Sequence, residues 1–488
     1  MPLKKSYALR DKFNATMSTP SHYDAVIIGA GMSGLAAAVR LSMYGQKVLL
    51  LERHNAVGGL NSFYARGARK YDVGLHALTN WVPEGAKGAP LVKLMRQLRI
   101  RREELDLCPQ LGSRITMAGK NLRLNNNFND LLADVAEAFP QHVDRFRALD
   151  EMLTGMDEAA LEASGGSARA LLDEKIGNPL LRDMLLLPTC FYGSAVEDDI
   201  EISQFAVMWR SLFKEGFARP FIGVRQVVRL LLDRCREHQV ERRMKCGVKR
   251  LVVNAGSVVA LELDDGTEVT ATRVYSSAGA VETQRLRSDA EPLAGASSIG
   301  RLGYAETITT YRADDFAKFR WSDTIVFFCD AERFSYRSPA ELVDPRSGVI
   351  CIPNNYQYGS DRQLEEGWLR VTALANHDTW CGLPEAEYLA QKQVWLAQLN
   401  AVARRHLPAV SNAVHDAALT STDVFTPRTV RKFTGHLNGA IYGSPVKRRD
   451  GRTDLNNLFI IGTDQGFLGV TGAMLSGISM ANLHGLKN

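Results

Sequence analysis

The stretch from Tyr23 to Ser62 constrains this chain more than any other. It opens on Asp24-Ala25-Val26-Ile27-Ile28, a short apolar run that suits a strand buried on both faces of a parallel sheet. Gly29-Ala30-Gly31-Met32-Ser33-Gly34 follows without a break. In a strand-turn-helix setting the three glycines have separate tasks. Gly29 permits the tight turn, Gly31 lets the backbone approach a diphosphate, and Gly34 lets the new helix pack close to the strand. The helix continues through Ala36-Ala37-Ala38 to Tyr44, and its N-terminal amides, with their partial positive charge, face the phosphates. A second strand, Lys47-Val48-Leu49-Leu50-Leu51, ends in Glu52, about 20 residues past the glycines, where a carboxylate accepts hydrogen bonds from adenosine ribose hydroxyls. Glycines at this spacing also arise by chance in loops. Enclosed by strand, helix, strand and acid, they predict a dinucleotide site.

At 488 residues the chain is roughly two to three times a typical domain, which predicts a cofactor domain and a separate substrate domain. The fold class expected is α/β, a Rossmann-type nucleotide-binding domain with an inserted α+β substrate domain. Its division runs 1–22 as a disordered leader, 23–85, 215–290 and 415–488 as a discontinuous cofactor domain, and 86–214 with 291–414 as the substrate domain. The leader is polar with no apolar core, so it is not a secretory signal, and Met17 would serve as an initiator. No run approaches the roughly 20 apolar residues of a membrane span. A net charge of +5, with no basic run interleaved with aromatics, points away from nucleic acid. Seven cysteines without a C-x-x-C pair argue against a disulfide framework or zinc and favour a reducing cytoplasm. No metal site is expected.

Leu91, Leu94, Met95 and Leu98 recur at helical spacing with Lys93, Arg96, Arg99, Arg101 and Arg102 around them. Two readings stay open for Leu91–Arg102: a core-facing helix with a solvated side, or an interfacial helix on an anionic membrane, which would add peripheral membrane association to the cytoplasmic location expected from the cysteines. Segments 129–139, 145–156 and 180–187 read as helices of a substrate cap, the last interrupted by Pro188. Val248 to Val253, Val258 to Leu263 and Val269 to Tyr275, joined by Asn254-Ala255-Gly256 and Asp264-Asp265-Gly266, read as a β-meander. Further strands at 304–311, 324–328, 349–353 and 369–375, closed by a long helix over 384–405, predict a second sheet flooring the substrate pocket.

Two more stretches carry a family resemblance. Gly58-Gly59 shortly after Glu52 resembles the extended motif of FAD-containing amine oxidases and carotenoid desaturases, although Leu60 stands where those families usually have Arg. Leu458-Phe459-Ile460-Ile461-Gly462-Thr463-Asp464, followed by the glycine-led helix from Gly469-Val470-Thr471, resembles the C-terminal flavin motif of the phytoene desaturase, carotenoid isomerase and retinol saturase superfamily. Together with Gly74-Leu75-His76, these features look closer to the saturase and isomerase branch.

The resemblance implies one FAD, bound without a covalent link. Gly29, Gly31, Gly34, Glu52, Arg53, Gly58, Gly59, Leu60 and Asn61 would hold its adenosine and diphosphate, with Val248 backbone at the adenine. Gly74 and His76 would lie under the ring, Gly462 and Asp464 along the ribityl chain, and Gly469, Val470 and Thr471 at the pyrimidine. His76 is the one candidate for catalytic contact, because a flavin carries the electrons itself. Desaturation, saturation or cis/trans isomerisation of a long apolar isoprenoid or carotenoid-like polyene is the implied activity, with quinone, oxygen or NAD(P)H as electron partner. An amine-oxidase or protoporphyrinogen-oxidase type activity and a non-catalytic flavin-binding role are the alternatives.

Overall fold

The computed structural model describes residues 21–74, 76–156, 165–290 and 298–487. The expected leader lies outside the described residues up to position 20, and so does Met17. Ser21 and His22 already belong to the first strand, Ser21–Ile28, so the sheet begins two residues before the expected boundary.

Two seven-stranded sheets organise the chain. In the first, Glu268–Ser276 is central. It pairs in parallel with Ser21–Ile28 on one side and with Leu458–Ile460 at its carboxyl end, and antiparallel with Ser257–Leu263. Val48–Glu52 and Glu241–Met244 extend the parallel side, and Val248–Asn254 completes the expected meander. Strands covered on both faces need apolar residues throughout, and Ala25, Val26 and Ile27 have no solvent exposure. Helix Met32–Ser42 covers one face, wedged between the closing helix Gly469–Met480 and helix Val224–Glu237.

The second sheet runs Leu419–Phe425, Gly303–Arg312, Glu366–Ala375, Val343–Cys351, Ile325–Cys329, Arg114–Met117 and Lys120–Arg123. It is antiparallel except where Ile325–Cys329 meets Arg114–Met117. The 21-residue helix Glu385–Arg405 packs on it as expected. Leu419–Phe425, which the sequence division gives to the cofactor domain, is thus a strand of this sheet.

Helix Pro179–Gly193 runs through Pro188 instead of stopping there. Proline removes one backbone donor. The Thr189 hydroxyl bonds the carbonyls of Leu185 and Leu186 one turn back, at 3.2 and 3.0 Å, and the surrounding core holds the helix in place.

The interfacial reading of Leu91–Arg102 is overturned. Leu91, Leu94, Met95 and Leu98 of helix Pro90–Leu98 are buried at 8 % exposure or less, packed in the same core as helices Met32–Ser42 and Gly469–Met480. An apolar stripe already covered by protein has no face to offer a bilayer. Leu94→Ala should therefore destabilise the fold by about 2–5 kcal/mol through the cavity it leaves, whereas Lys93→Glu should change stability by less than about 0.5 kcal/mol. Chemical denaturation of the two variants reads the difference. Among the described residues no helix is long and apolar enough to cross a membrane.

Candidate active site

The glycine loop closes at the carboxyl end of the first strand, where ligands of parallel sheets bind. Gly29 has φ +93°, a conformation that L side chains rarely adopt. A Cβ on Gly34 would collide with the Gly29 carbonyl oxygen, so close helix packing depends on its absence. Gly31 is different: no protein atom lies within 4 Å of where its Cβ would stand, and open cavity faces it. The second glycine pair locks onto the first loop through Gly58 N–H donating to the Ala30 carbonyl at 2.8 Å. Glu52 accepts from the amides of Ala30 (2.8 Å) and His54 (2.7 Å), which aims its carboxylate along the cavity edge. Arg53 donates to the Val248 carbonyl at 2.6 Å and pairs with Asp264 at 2.9 Å, tying the meander to the loop.

These residues border two connected cavities. The larger, about 720 Å³, is lined by Glu52, Arg53, His54, Val248 and Ala278 among others. The smaller, about 220 Å³, is lined by Leu60, Asn61, Gly74, His76, Gly462 and Asp464, and the first turn of the closing helix reaches it through Gly469 and Val470. Gly31, Gly59, Ser277 and His436 border both. Thr471 lies off the cavity wall, its hydroxyl 3.4 Å from the Thr79 carbonyl, and Gly34 is enclosed behind the loop.

Asp464 has its carboxylate held by the amides of Ala280 (2.7 Å) and Ser444 (2.8 Å). Lys447 stands 3.8 Å away. Burial lowers its ammonium to about 8, with Asp464 pulling the other way. No group of residues suited to a metal ion occurs among the described residues.

At the inner end of the smaller cavity lies a buried charge cluster with one foreseen member. His76 Nε2 donates to Glu306 Oε2 at 2.7 Å. Arg370 Nε donates to Glu306 Oε1 at 3.0 Å, and the Thr372 hydroxyl to Oε2 at 2.8 Å. Burial alone would raise the Glu306 carboxyl, but Arg370 and His76 overcome it and hold the group well below the usual carboxylate range. A charged Glu306 fixes the His76 tautomer, leaving Nδ1 as an acceptor 3.4 Å from the Tyr192 hydroxyl. The Tyr356 hydroxyl bonds the His76 carbonyl at 2.9 Å. Strand register builds the cluster: Glu306 lies opposite Thr372, and Ile308 opposite Arg370. Beyond it the wall is aromatic and aliphatic, with Phe191, Tyr192, Met208, Tyr304, Val349 and Leu468.

A glycine cradle at the ends of parallel strands faces a second, mainly antiparallel sheet across a shared cavity, and the family match makes this the layout of a flavin-dependent oxidoreductase. The family described as flavin containing amine oxidoreductase matches residues 32–483, and the chain belongs to that family. Over 484 residues it is 22% identical to the chloroplastic prolycopene isomerase of Arabidopsis thaliana, covering 92% of this chain and 76% of the relative. A 72-residue stretch is 40% identical to the all-trans-retinol 13,14-reductase of Danio rerio, covering 15% of this chain and 12% of that protein. Among solved structures, an oxidoreductase from Methanosarcina mazei superposes with a TM-score of 0.65 at 13% identity, covering 94% of this chain and 99% of its own, which speaks for the fold alone.

Proposed function

We propose that the chain holds one FAD without a covalent bond and acts on carbon–carbon double bonds of a long apolar isoprenoid polyene, by desaturation, saturation or cis/trans isomerisation. The observation that carries this reading is the match to a prolycopene isomerase along 92% of the chain, together with the apolar wall that faces the glycine cradle. Gly31, Gly59 and the N-terminus of helix Met32–Ser42 would receive the diphosphate, Glu52 the adenosine ribose, and Val248 backbone the adenine. Asp464 and the first turn of the closing helix would meet the ribityl chain and ring. A bound flavin supplies hydride or electron transfer at its ring.

The chain's own residues do the positioning. Phe191, Met208, Val349 and Leu468 exclude water and hold an extended hydrocarbon by apolar contact. His76, oriented by Glu306 and Arg370, presents a fixed imidazole at the edge of that wall.

Purified protein should be yellow and release FAD on acid denaturation, and recovery of FMN alone would sink the cofactor assignment. Glu52→Gln should weaken FAD binding by about 1.5–3 kcal/mol, the range for a hydrogen bond to a charged acceptor. Mass spectrometry of apolar compounds that copurify, followed by incubation with cis and trans polyenes and chromatography of the products, tests the substrate class. Turnover of amines instead of polyenes would overturn it.

A further inference from the structure

Where the two cavities meet, the protein presents one feature that the glycine loops do not explain. Among the described residues lining both, His436 is the side chain able to carry a positive charge. The same junction holds the open space in front of Gly31 and the N-terminus of the 11-residue helix Met32–Ser42, where a diphosphate would be received. Two such phosphates bring negative charge into a partly enclosed region. Of the other cations at the larger cavity, Arg53 faces Asp264 at 2.9 Å, Lys392 faces Asp423 at 3.5 Å, Arg428 faces Glu385 at 2.7 Å, and Lys432 stands 5.4 Å from the centre of the Phe433 ring; none of them borders the smaller cavity as well. Leu60, next to the glycine pair, contributes no charge.

The His436 ring is set up asymmetrically. Nδ1 is buried without a hydrogen bond, 4.0 Å from Glu282 Oε1, which itself accepts from the Leu437 amide at 2.8 Å. Nε2 is not enclosed in this way and bonds no described residue. A buried polar nitrogen without a partner is rare enough to call for one. An imidazolium with Glu282 behind it and an anion in front would use both nitrogens as donors.

We infer that His436 is the cationic ligand of the cofactor diphosphate, donating Nε2–H to a phosphate oxygen while Glu282 supports Nδ1–H. This rests on the FAD reading above and deepens it with a residue from a distant loop. The full-length wild type and its variants would be titrated calorimetrically with FAD, with ADP, and with adenosine, which carries no phosphate. His436→Ala is expected to raise the Kd for FAD and ADP at least about tenfold and to leave that for adenosine within about twofold, as loss of a charge-assisted bond requires. Adding Leu60→Arg to His436→Ala, which places a new cation on the wall of the same cavity, is expected to recover part of the FAD affinity. Unchanged FAD affinity in His436→Ala overturns the inference. So does a parallel loss for adenosine, which marks a residue serving the fold. A wild-type chain that binds no FAD overturns the cofactor reading itself and this inference with it.

Discussion

Replacing Gly31 with Ala is expected to raise the Kd for FAD on the order of 100-fold while costing the folded chain no more than about 1 kcal/mol of stability. The two effects separate because of where the new methyl goes. Gly31 has φ −70° as the N-cap of helix Met32–Ser42, a conformation alanine adopts freely, and its Cβ would meet no protein atom within 4 Å. What it would fill is the space proposed for the diphosphate. Gly34→Ala is the counterpart. Its methyl would strike the Gly29 carbonyl, a backbone atom that cannot swing aside, and should destabilise the fold by about 1–3 kcal/mol whether or not flavin is added. Thermal unfolding of both variants with and without FAD checks the pair. Equal FAD affinity in Gly31→Ala would remove the diphosphate from that position.

Glu306→Gln should destabilise the protein by about 3–5 kcal/mol near neutral pH, because it strips the buried Arg370 guanidinium and the His76 Nε2–H of the carboxylate that faces them both. The pH dependence follows from the lowered carboxyl of Glu306. A group whose folded pKa is depressed adds stability above its unfolded pKa, about 4.3 for Glu, and loses that contribution as pH falls toward the folded value. The gap between wild type and Glu306→Gln should therefore be widest at pH 6–8 and shrink progressively below about pH 5. Urea titrations at pH 7 and pH 4 measure it, and a gap that widened with acid would contradict the charged state assigned to Glu306.

Local units were the most readable part of this chain. Residues 24–52 contain a strand, turn, helix, strand and acid in succession, each signalled by its neighbours, and they occupy the places that their pattern implies. Glu306 and Arg370 were missed because their meeting depends on the register between two strands, which no local pattern reveals. A signal did exist: Glu306 is the lone charge in Gly303–Tyr311 and Arg370 the lone charge in Gly367–Ala375, and opposite charges in otherwise uncharged strands call for each other. The stripe at Leu91 failed differently. An amphipathic helix has the same periodicity whether protein or lipid covers it, and the helix that covers this one lies at the far end of the chain. His436 gave no warning at all, being a single histidine in a turn.

The first sheet draws its strands from both extremes of the sequence, with Ser21–Ile28 and Leu458–Ile460 both bonded to Glu268–Ser276. During synthesis, at about 5–20 residues per second, the opening strand therefore emerges long before its structural neighbours exist. The nascent cradle lacks both the Asp464 turn and the Gly469 helix until residues 458–480 have been made, so its first strand waits for most of the chain described here. The second sheet, whose strands all lie within residues 114–425, is free to assemble earlier. A chain truncated before Leu458 would keep that sheet's strands but expose the carboxyl-end edge of Glu268–Ser276, an unpaired strand rim of the kind that invites aggregation.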